Sequence, residues 1–157
     1  MPILRDATVV LVDDDESLLS PLAVLLRQSG YSHTHAMGSA GTAVVVLETM
    51  GDPALSKTMV IMDVSLGPAD RFADGCEAGR WIVRRWPQVR MLYFTGHDQE
   101  DVKRRCWGPV PLVHKPVAME ELVQIIGHML TAPPWHPPFD RESHPFRRTS
   151  DKDRRPE

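Results

Sequence analysis

The chain has 157 residues, of which 42% are hydrophobic and 25% charged, and this composition excludes a disordered or fibrous protein. At roughly 100–200 residues per domain, this length predicts one domain, and the change of composition at Thr131 divides the chain into a domain over residues 1–130 and a tail over residues 131–157. The net charge is −3, and neither a basic face with a recognition motif nor a long apolar run is present, so DNA binding and membrane insertion are not expected.

Short β-rich runs alternate with longer helical patterns along the main domain. The predicted strands cover residues 7–12, 31–36, 58–62, 89–94 and 110–114. The predicted helices cover residues 16–28, 39–49, 76–86, 98–106 and 117–130. Pro21 lies inside the first helix and predicts a kink or a later helix start there. Strands that alternate with helices predict an α/β fold with a doubly wound parallel sheet covered on both faces.

The tail has a different composition from the domain, because 6 of the 14 prolines lie in residues 131–157. Such a segment cannot form a core of its own, and we expect it to be extended at its start and disordered at its end. Trp135, Phe139 and Phe146 are large apolar side chains within it. One hypothesis is a docking arm that joins two copies into a homodimer, and the alternative is a solubilising end.

The two cysteines, Cys76 and Cys106, are 30 residues apart and form no CxxC motif. We therefore expect no disulfide framework, and the absence of a signal peptide favours a reducing, cytoplasmic location.

Polar residues follow four of the five predicted strands at the points where those strands end. They are Asp13, Asp14 and Asp15 after the first strand, Asp63 after the third, Thr95 (followed by Gly96) after the fourth, and Lys115 (followed by Pro116) after the fifth. In an open α/β sheet, ligands bind beyond the carboxyl ends of the strands, so these side chains are expected to converge. Any one of them alone would more often be a helix cap or a structural residue.

The residue types at this edge indicate phosphoryl chemistry that depends on a divalent metal. Clustered carboxylates repel one another unless a cation compensates, and oxygen ligands suit a hard ion such as Mg2+. Lys115 can neutralise a phosphoryl oxygen, and the Thr95 hydroxyl can donate a hydrogen bond to another. Asp63 follows a buried strand and is the best candidate for the nucleophile, which would form an acyl phosphate.

The segments VVLVDDDES, VIMDVSL, FTGH and VHKP, within residues 7–130, resemble the receiver domains of two-component response regulators. The resemblance implies a flavodoxin-like (βα)5 fold with strand order 2-1-3-4-5. It also implies that Asp63 accepts a phosphoryl group from a sensor histidine kinase, with Thr95 as the switch hydroxyl and a cis peptide before Pro116. Asp14, Asp63 and the backbone carbonyl of Ser65 would hold Mg2+, and Asp13 would reach the metal through water.

The chain differs from the usual receiver pattern at two places. The loop from Asp63 to Asp74 is several residues longer, with its proline displaced to Pro68, and Leu112 replaces the aromatic residue that usually precedes the lysine by three positions. The leading hypothesis is a stand-alone phosphoacceptor that signals through an unknown downstream protein and is no enzyme beyond slow self-dephosphorylation. One alternative is a degenerate receiver that binds its partner without phosphorylation. Another is an aspartyl-nucleophile phosphohydrolase, which the serine at Ser65 disfavours because such enzymes carry an acid there.

Overall fold

The computed structural model describes residues 5–106, 108 and 110–136, and within them strands alternate with helices from the first element to the last. The strands are β1 (Thr8–Val12), β2 (His33–Met37), β3 (Thr58–Met62), β4 (Arg90–Thr95) and β5 (Leu112–His114). The helices are α1 (Glu16–Gln28), α2 (Ala40–Glu48), α3 (Asp52–Leu55), α4 (Gly75–Arg85), α5 (Gln99–Cys106) and α6 (Met119–Thr131). No helix among the described residues is long and apolar enough to cross a bilayer.

The five strands form one parallel sheet in the order β2-β1-β3-β4-β5, which confirms the fold predicted from the sequence. Val12 at the end of β1 pairs with Met37 on one side and with Met62 on the other. The carboxyl ends of these three strands are therefore level, and the residues that follow them share one edge of the sheet.

Each face of the sheet has its own apolar core, because alternate residues of a strand point to opposite faces. Val10 and Val12 pack with α2, α4 and α5 on one face. Val9 and Leu11 pack with α1 and α6 on the other. The strands β1 and β3 are buried along their whole length, as expected for central strands of a sheet that is covered on both sides.

The second strand begins two residues later than the sequence pattern predicts. Gly30 has a φ of 106°, and Tyr31, although buried, precedes the strand. The Thr34 hydroxyl donates a 2.6 Å hydrogen bond to the Tyr31 carbonyl, and pairing with β1 begins only at His33. The short helix α3 is a second difference: four residues, with Pro53 in its first turn, are too few to show a helical period.

Pro21 does not delay the start of α1, so that part of the prediction is wrong. The helix begins at Glu16, where the Asp15 carboxylate accepts a 3.0 Å hydrogen bond from the Ser17 amide, and it continues through Pro21 to Gln28. Pro21 is exposed, and its ring therefore does not disturb the buried stripe of the helix.

Cys76 and Cys106 are joined in a disulfide, which contradicts the prediction of no disulfide framework. Cys76 lies in the first turn of α4 and Cys106 is the last residue of α5, and the two Cα atoms are 5.0 Å apart. The pairing could not be predicted from spacing, because it depends on two helices that pack side by side on the same face of the sheet.

The start of the tail lies against the domain. The Ala132 carbonyl accepts hydrogen bonds of 3.2 and 3.1 Å from the guanidinium of Arg90, and the Trp135 ring packs edge-on against Tyr93. Trp135 is thus partly covered within its own chain. Phe139 and Phe146, the other two apolar side chains of the predicted arm, lie outside the described residues.

Candidate phosphoacceptor site

The three acids that follow β1 have different surroundings. Asp13 is buried, and its Oδ1 accepts a 2.9 Å hydrogen bond from the Asp15 amide. Asp14 is exposed. Asp15 is the N-cap of α1, with its Oδ1 accepting from both the amide and the hydroxyl of Ser17, so its role is to begin the helix.

Asp63 lies directly beside this group, at the end of the central strand β3. Its amide donates a 3.0 Å hydrogen bond to the Val12 carbonyl, which fixes its backbone against the end of β1. Asp13, Asp14 and Asp63 each offer one carboxylate oxygen, and these oxygens all lie within 4.8 Å of one another. The convergence predicted from the strand ends is therefore present.

Lys115 connects the two buried acids. Its Nζ lies 2.7 Å from Asp13 Oδ2 and 3.3 Å from Asp63 Oδ2, and it also lies over the Phe94 ring at 5.3 Å. The Lys115 amide donates to the Thr95 carbonyl, which ties the end of β5 to the end of β4. The peptide bond between Lys115 and Pro116 is cis, as the sequence resemblance implies.

Burial and charge act in opposite directions on this cluster. Burial raises the pKa of Asp13, as does the nearby Asp63 charge, although the hydrogen bonds from Lys115 and Asp15 oppose the change. Burial alone would lower the pKa of Lys115, but the hydrogen bonds and charges of Asp13 and Asp63 together outweigh it and the pKa is raised. Lys115 is therefore a cation at neutral pH, held between two acids.

The donor set fits a divalent cation. Three carboxylates share the site with the single positive charge of Lys115, and all the candidate ligand atoms in the cluster are oxygens. Hard ions such as Mg2+ bind through one or two carboxylates together with water and phosphate oxygens. Asp14 is the exposed member of the cluster, so solvent and a ligand can reach it.

A cleft of about 240 Å³ opens beside Asp63. Its lining consists of Asp63, Ser65, Thr95, Gly96 and His97. The Ser65 amide lies 3.4 Å from Asp63 Oδ1, and the Thr95 hydroxyl oxygen accepts a 3.3 Å hydrogen bond from the His97 amide. The cleft is large enough for a phosphoryl group on the Asp63 carboxylate, and it brings together the residues expected from the third and fourth strand ends.

The long loop after β3 is anchored rather than loose. Asp70 Oδ2 accepts a 2.8 Å hydrogen bond from the Ala40 amide, and Phe72 is buried against Trp81 with ring centroids 5.9 Å apart. The guanidinium of Arg71 lies over the Trp81 ring at 4.7 Å. The extra residues therefore pack on α2 and α4 and leave the cleft beside Asp63 open.

Sequence reasoning missed two residues at this site. A Cβ at Gly75 would lie 1.8 Å from the Asp63 carbonyl oxygen, so only glycine lets α4 begin this close to the phosphoacceptor candidate. His97 lies across the cleft from Ser65 and contacts its hydroxyl. The available signals were the Asp74-Gly75 pair and the histidine of the FTGH segment, but neither has a recognisable spacing to Asp63.

Comparison with known proteins identifies the class that this fold and site define. The sequence profile of the response regulator receiver domain family matches residues 9–127, and the chain therefore belongs to that family. This family is a phosphoacceptor signalling module of two-component systems and not a conventional enzyme.

Among individual relatives, the chain is 30% identical over 125 residues to the sensory transduction protein RegX3 of Mycolicibacterium smegmatis (strain ATCC 700084 / mc(2)155). The match covers 78% of this chain and 50% of RegX3, so the chain spans about half the length of this relative.

Solved receiver structures share the fold. A CheY-like receiver domain protein from Methanospirillum hungatei JF-1 has a TM-score of 0.66 at 21% identity, over 79% of this chain and 93% of that one. The BeF3-activated DrrB receiver domain has a TM-score of 0.62 at 20% identity, over 80% of this chain and 98% of that one.

Proposed function

We propose that this receiver accepts a phosphoryl group on the Asp63 carboxylate, with Mg2+, from the phosphohistidine of a sensor histidine kinase. The observation that carries the proposal is the position of Lys115 Nζ, 2.7 Å from Asp13 and 3.3 Å from Asp63, beside a cleft lined by Thr95. The phosphorylated domain then signals through protein–protein contacts with a downstream partner.

Each residue has a separate task in phosphoryl transfer. An Asp63 oxygen attacks phosphorus as the bond to the donor nitrogen breaks, and the Lys115 ammonium and the Thr95 hydroxyl neutralise or hydrogen-bond the phosphoryl oxygens. Asp13, Asp14 and Asp63, with the backbone carbonyl of Ser65, would hold Mg2+. When bound, the ion supplies positive charge that reduces repulsion between these carboxylates and the incoming phosphate.

The decisive experiment is labelling by a small phosphodonor, such as acetyl phosphate, in the presence of Mg2+. The wild type should gain one phosphoryl group by intact mass, and Asp63→Asn should gain none while it keeps its fold and its thermal stability, because the change is isosteric and removes carboxylate repulsion. Glu120→Gln, an exposed carboxylate on α6, is the control and should label normally. Normal labelling of the Asp63→Asn variant would disprove the assignment.

The same experiment separates the alternatives left open by the sequence. A degenerate receiver would gain no label in the wild type, and a phosphohydrolase would release phosphate with many turnovers. The position two residues after Asp63 is Ser65, which cannot act as the carboxylic acid that the hydrolase mechanism uses.

The remaining expectations stay predictions. One is that the receiver acts without an attached output domain. It stays a prediction because RegX3 is about twice as long as the region that this chain matches. The homodimer is another, because residues 137–157 of the arm lie outside the described part of the chain. A cytoplasmic location also stays a prediction, and it loses one argument because Cys76 and Cys106 are paired.

A further inference from the structure

The disulfide between Cys76 and Cys106 joins two helices that are attached to the sheet to different degrees. Cys76 lies in α4, a helix with six buried residues, and its carbonyl accepts a 3.4 Å hydrogen bond from the Tyr93 hydroxyl. The amide of the preceding residue, Gly75, donates a 2.7 Å hydrogen bond to the Val64 carbonyl. The backbone of Cys76 is therefore fixed against the sheet and the loop after β3.

The helix that carries Cys106 has few apolar contacts. Among the eight residues of α5, all of which the structure describes, Val102 and Cys106 are the buried ones. Its ion pairs, such as the 3.0 Å pair of Arg105 with Asp101, join residues about one turn apart and do not attach the helix to the sheet. The Arg80 guanidinium donates a 3.0 Å hydrogen bond to the Arg105 carbonyl, but this contact is exposed. The disulfide is therefore a large part of what holds α5 in place.

The proposed function gives this disulfide a chemical environment. Disulfides persist in oxidising compartments, whereas in the reducing cytoplasm they are usually transient and either catalytic or redox-sensing. A receiver that takes its phosphoryl group from a kinase phosphohistidine works where the kinase uses ATP, which is the cytoplasm. The pair would therefore meet dithiol reductants continuously.

Local opening of α5 gives a reductant access to the sulfur atoms. With α5 packed on the domain, Cys76 and Cys106 are 0% and 1% exposed. An element with few buried apolar contacts opens at a lower free energy than the core does. The two Cα atoms are 5.0 Å apart, within the usual range of roughly 4.4–6.8 Å, so the bond can form again once α5 has packed back.

We propose that Cys76 and Cys106 are a reversible redox-modification site, at which a dithiol reductant of the thioredoxin class releases α5 and oxidation fixes it again. The proposal rests on the proposed function, which places the pair in a reducing compartment. A reductant thiolate bonds to the Cys106 sulfur while the S–S bond breaks, and the Cys76 sulfur leaves with the electron pair and takes a proton. The second thiol of the reductant then displaces Cys106 as a thiol. The reductant is oxidised to a disulfide as both cysteines are reduced.

Release of α5 changes the surface that the domain presents to a partner. The last turn of this helix carries three consecutive basic residues, Lys103, Arg104 and Arg105. The disulfide fixes these charges beside α4, and reduction removes the fixed arrangement. The redox state thus determines whether a partner meets an ordered basic helix, and this input is separate from phosphorylation.

The first test is reduction of the native full chain by thioredoxin, with thioredoxin reductase and NADPH, followed by alkylation with iodoacetamide. The intact mass should rise by two alkyl groups without denaturant. Addition of glutathione disulfide before alkylation should prevent the rise, because the bond forms again. Thiols that are trapped only in denaturant, or a pair that glutathione disulfide does not restore, would overturn the proposal.

The second test asks whether reduction proceeds through opening of α5. Val102→Ala removes apolar contact from this helix and should accelerate reduction by about tenfold, because local opening becomes more frequent. Val44→Ala is the matched control, since Val44 is 1% exposed in α2 and Val102 is 0% exposed in α5. The control should stay within about twofold of the wild type, because its site is remote from α5. Equal acceleration in the two variants would mean that reduction requires global unfolding, and the pair would then be structural.

The third test is limited proteolysis with trypsin, which cuts after lysine and arginine. Cuts at Lys103, Arg104 and Arg105 should be about tenfold faster in the reduced chain than in the oxidised chain, because a released helix is open to the protease. Arg84 and Arg85, which are exposed at the end of α4, are the internal control and should be cut at nearly the same rate in both. An equal increase at the two helices would indicate general unfolding and overturn the release of α5.

The reduced wild type keeps both sulfur atoms, so a difference from the oxidised form is due to the cross-link and not to packing. The Cys76→Ala, Cys106→Ala double variant should be cut in α5 like the reduced chain, with or without reductant. Labelling of Asp63 by acetyl phosphate reports the proposed function separately. Failure to label would contradict that function, whereas failure of thioredoxin to reduce a chain that labels normally would overturn the redox site alone.

Discussion

The three consecutive aspartates at the sheet edge have different roles. Asp15 caps α1 and Asp13 pairs with Lys115, which leaves Asp14 as the exposed acid whose oxygen still lies near Asp63. An exposed ligand beside two buried acids is the position at which a metal can be gained without disturbing the fold. Asp14 and Asp15 are therefore adjacent acids with different predicted effects on metal binding.

Binding of Mg2+ to the native state should raise the thermal stability of the wild type, because a ligand at 100 times its Kd stabilises by about 2.7 kcal/mol. Asp14→Asn should reduce this response, since it removes one ligand oxygen. Asp15→Asn removes the same charge but keeps a good helix cap, so it should retain most of the response. Melting curves with and without Mg2+ measure this, and equal responses in the two variants would remove Asp14 from the site.

Gly75 sets how closely α4 can approach Asp63. A Cβ at this position would lie 1.8 Å from the Asp63 carbonyl oxygen and 2.9 Å from the Val64 Cα, and both are backbone atoms. Gly75→Ala should therefore lower the free energy of unfolding by roughly 1–3 kcal/mol, as overpacking does, and weaken the Mg2+ response by displacing Asp63. Chemical denaturation measures the first effect.

Gly67 is the matched control for this substitution, since a Cβ there would meet nothing within 4 Å. Gly67→Ala should leave stability unchanged or raise it slightly, because alanine restricts the unfolded chain. Equal losses at the two glycines would mean that contact with Asp63 is not the cause.

At the scale of elements, the pattern of apolar residues predicted the five strands and five of the six described helices, but not the contacts between helices. The run at residues 58–62 is buried on both faces and has the boundaries predicted from sequence. The shifted start of β2 depends on a hydrogen bond from Thr34 to a carbonyl, and α3 is a single turn. The disulfide and the contact of His97 with Ser65 join residues 30 and 32 positions apart, which no local pattern reports.

The cross-link between α4 and α5 should contribute measurably to stability. Closing a loop of this length restricts the unfolded chain, and the chain-entropy estimate gives roughly 3–4 kcal/mol. Reduction with dithiothreitol should lower the free energy of unfolding by about this amount in the wild type. The Cys76→Ala, Cys106→Ala double variant should not respond to the reductant, and a wild type equally insensitive to it would show that the two thiols are unpaired in solution.

At the scale of the whole molecule, the candidate site exists only when the sheet is complete. Lys115 and Asp13 are separated by 102 positions in sequence, yet they are in contact because β1 and β5 lie in one parallel sheet. The sequence identified these residues through the rule that parallel strands gather their carboxyl ends at one edge. The sequence could not predict which tail residues pack against the domain, because a proline-rich segment has no apolar periodicity to interpret.

Trp135 connects the tail to the domain, and its removal should destabilise the fold. The ring is partly buried and packs edge-on against Tyr93 at 6.3 Å, while Arg90 holds the preceding Ala132 carbonyl. Trp135→Ala should lower the free energy of unfolding by about 1–3 kcal/mol in chemical denaturation. A chain that ends at His136 keeps this contact and should match the full chain within about 0.5 kcal/mol.

Light scattering on the full chain and on the chain that ends at His136 tests the predicted docking arm. A homodimer through residues 137–157 requires a larger mass for the full chain, and equal masses would exclude it.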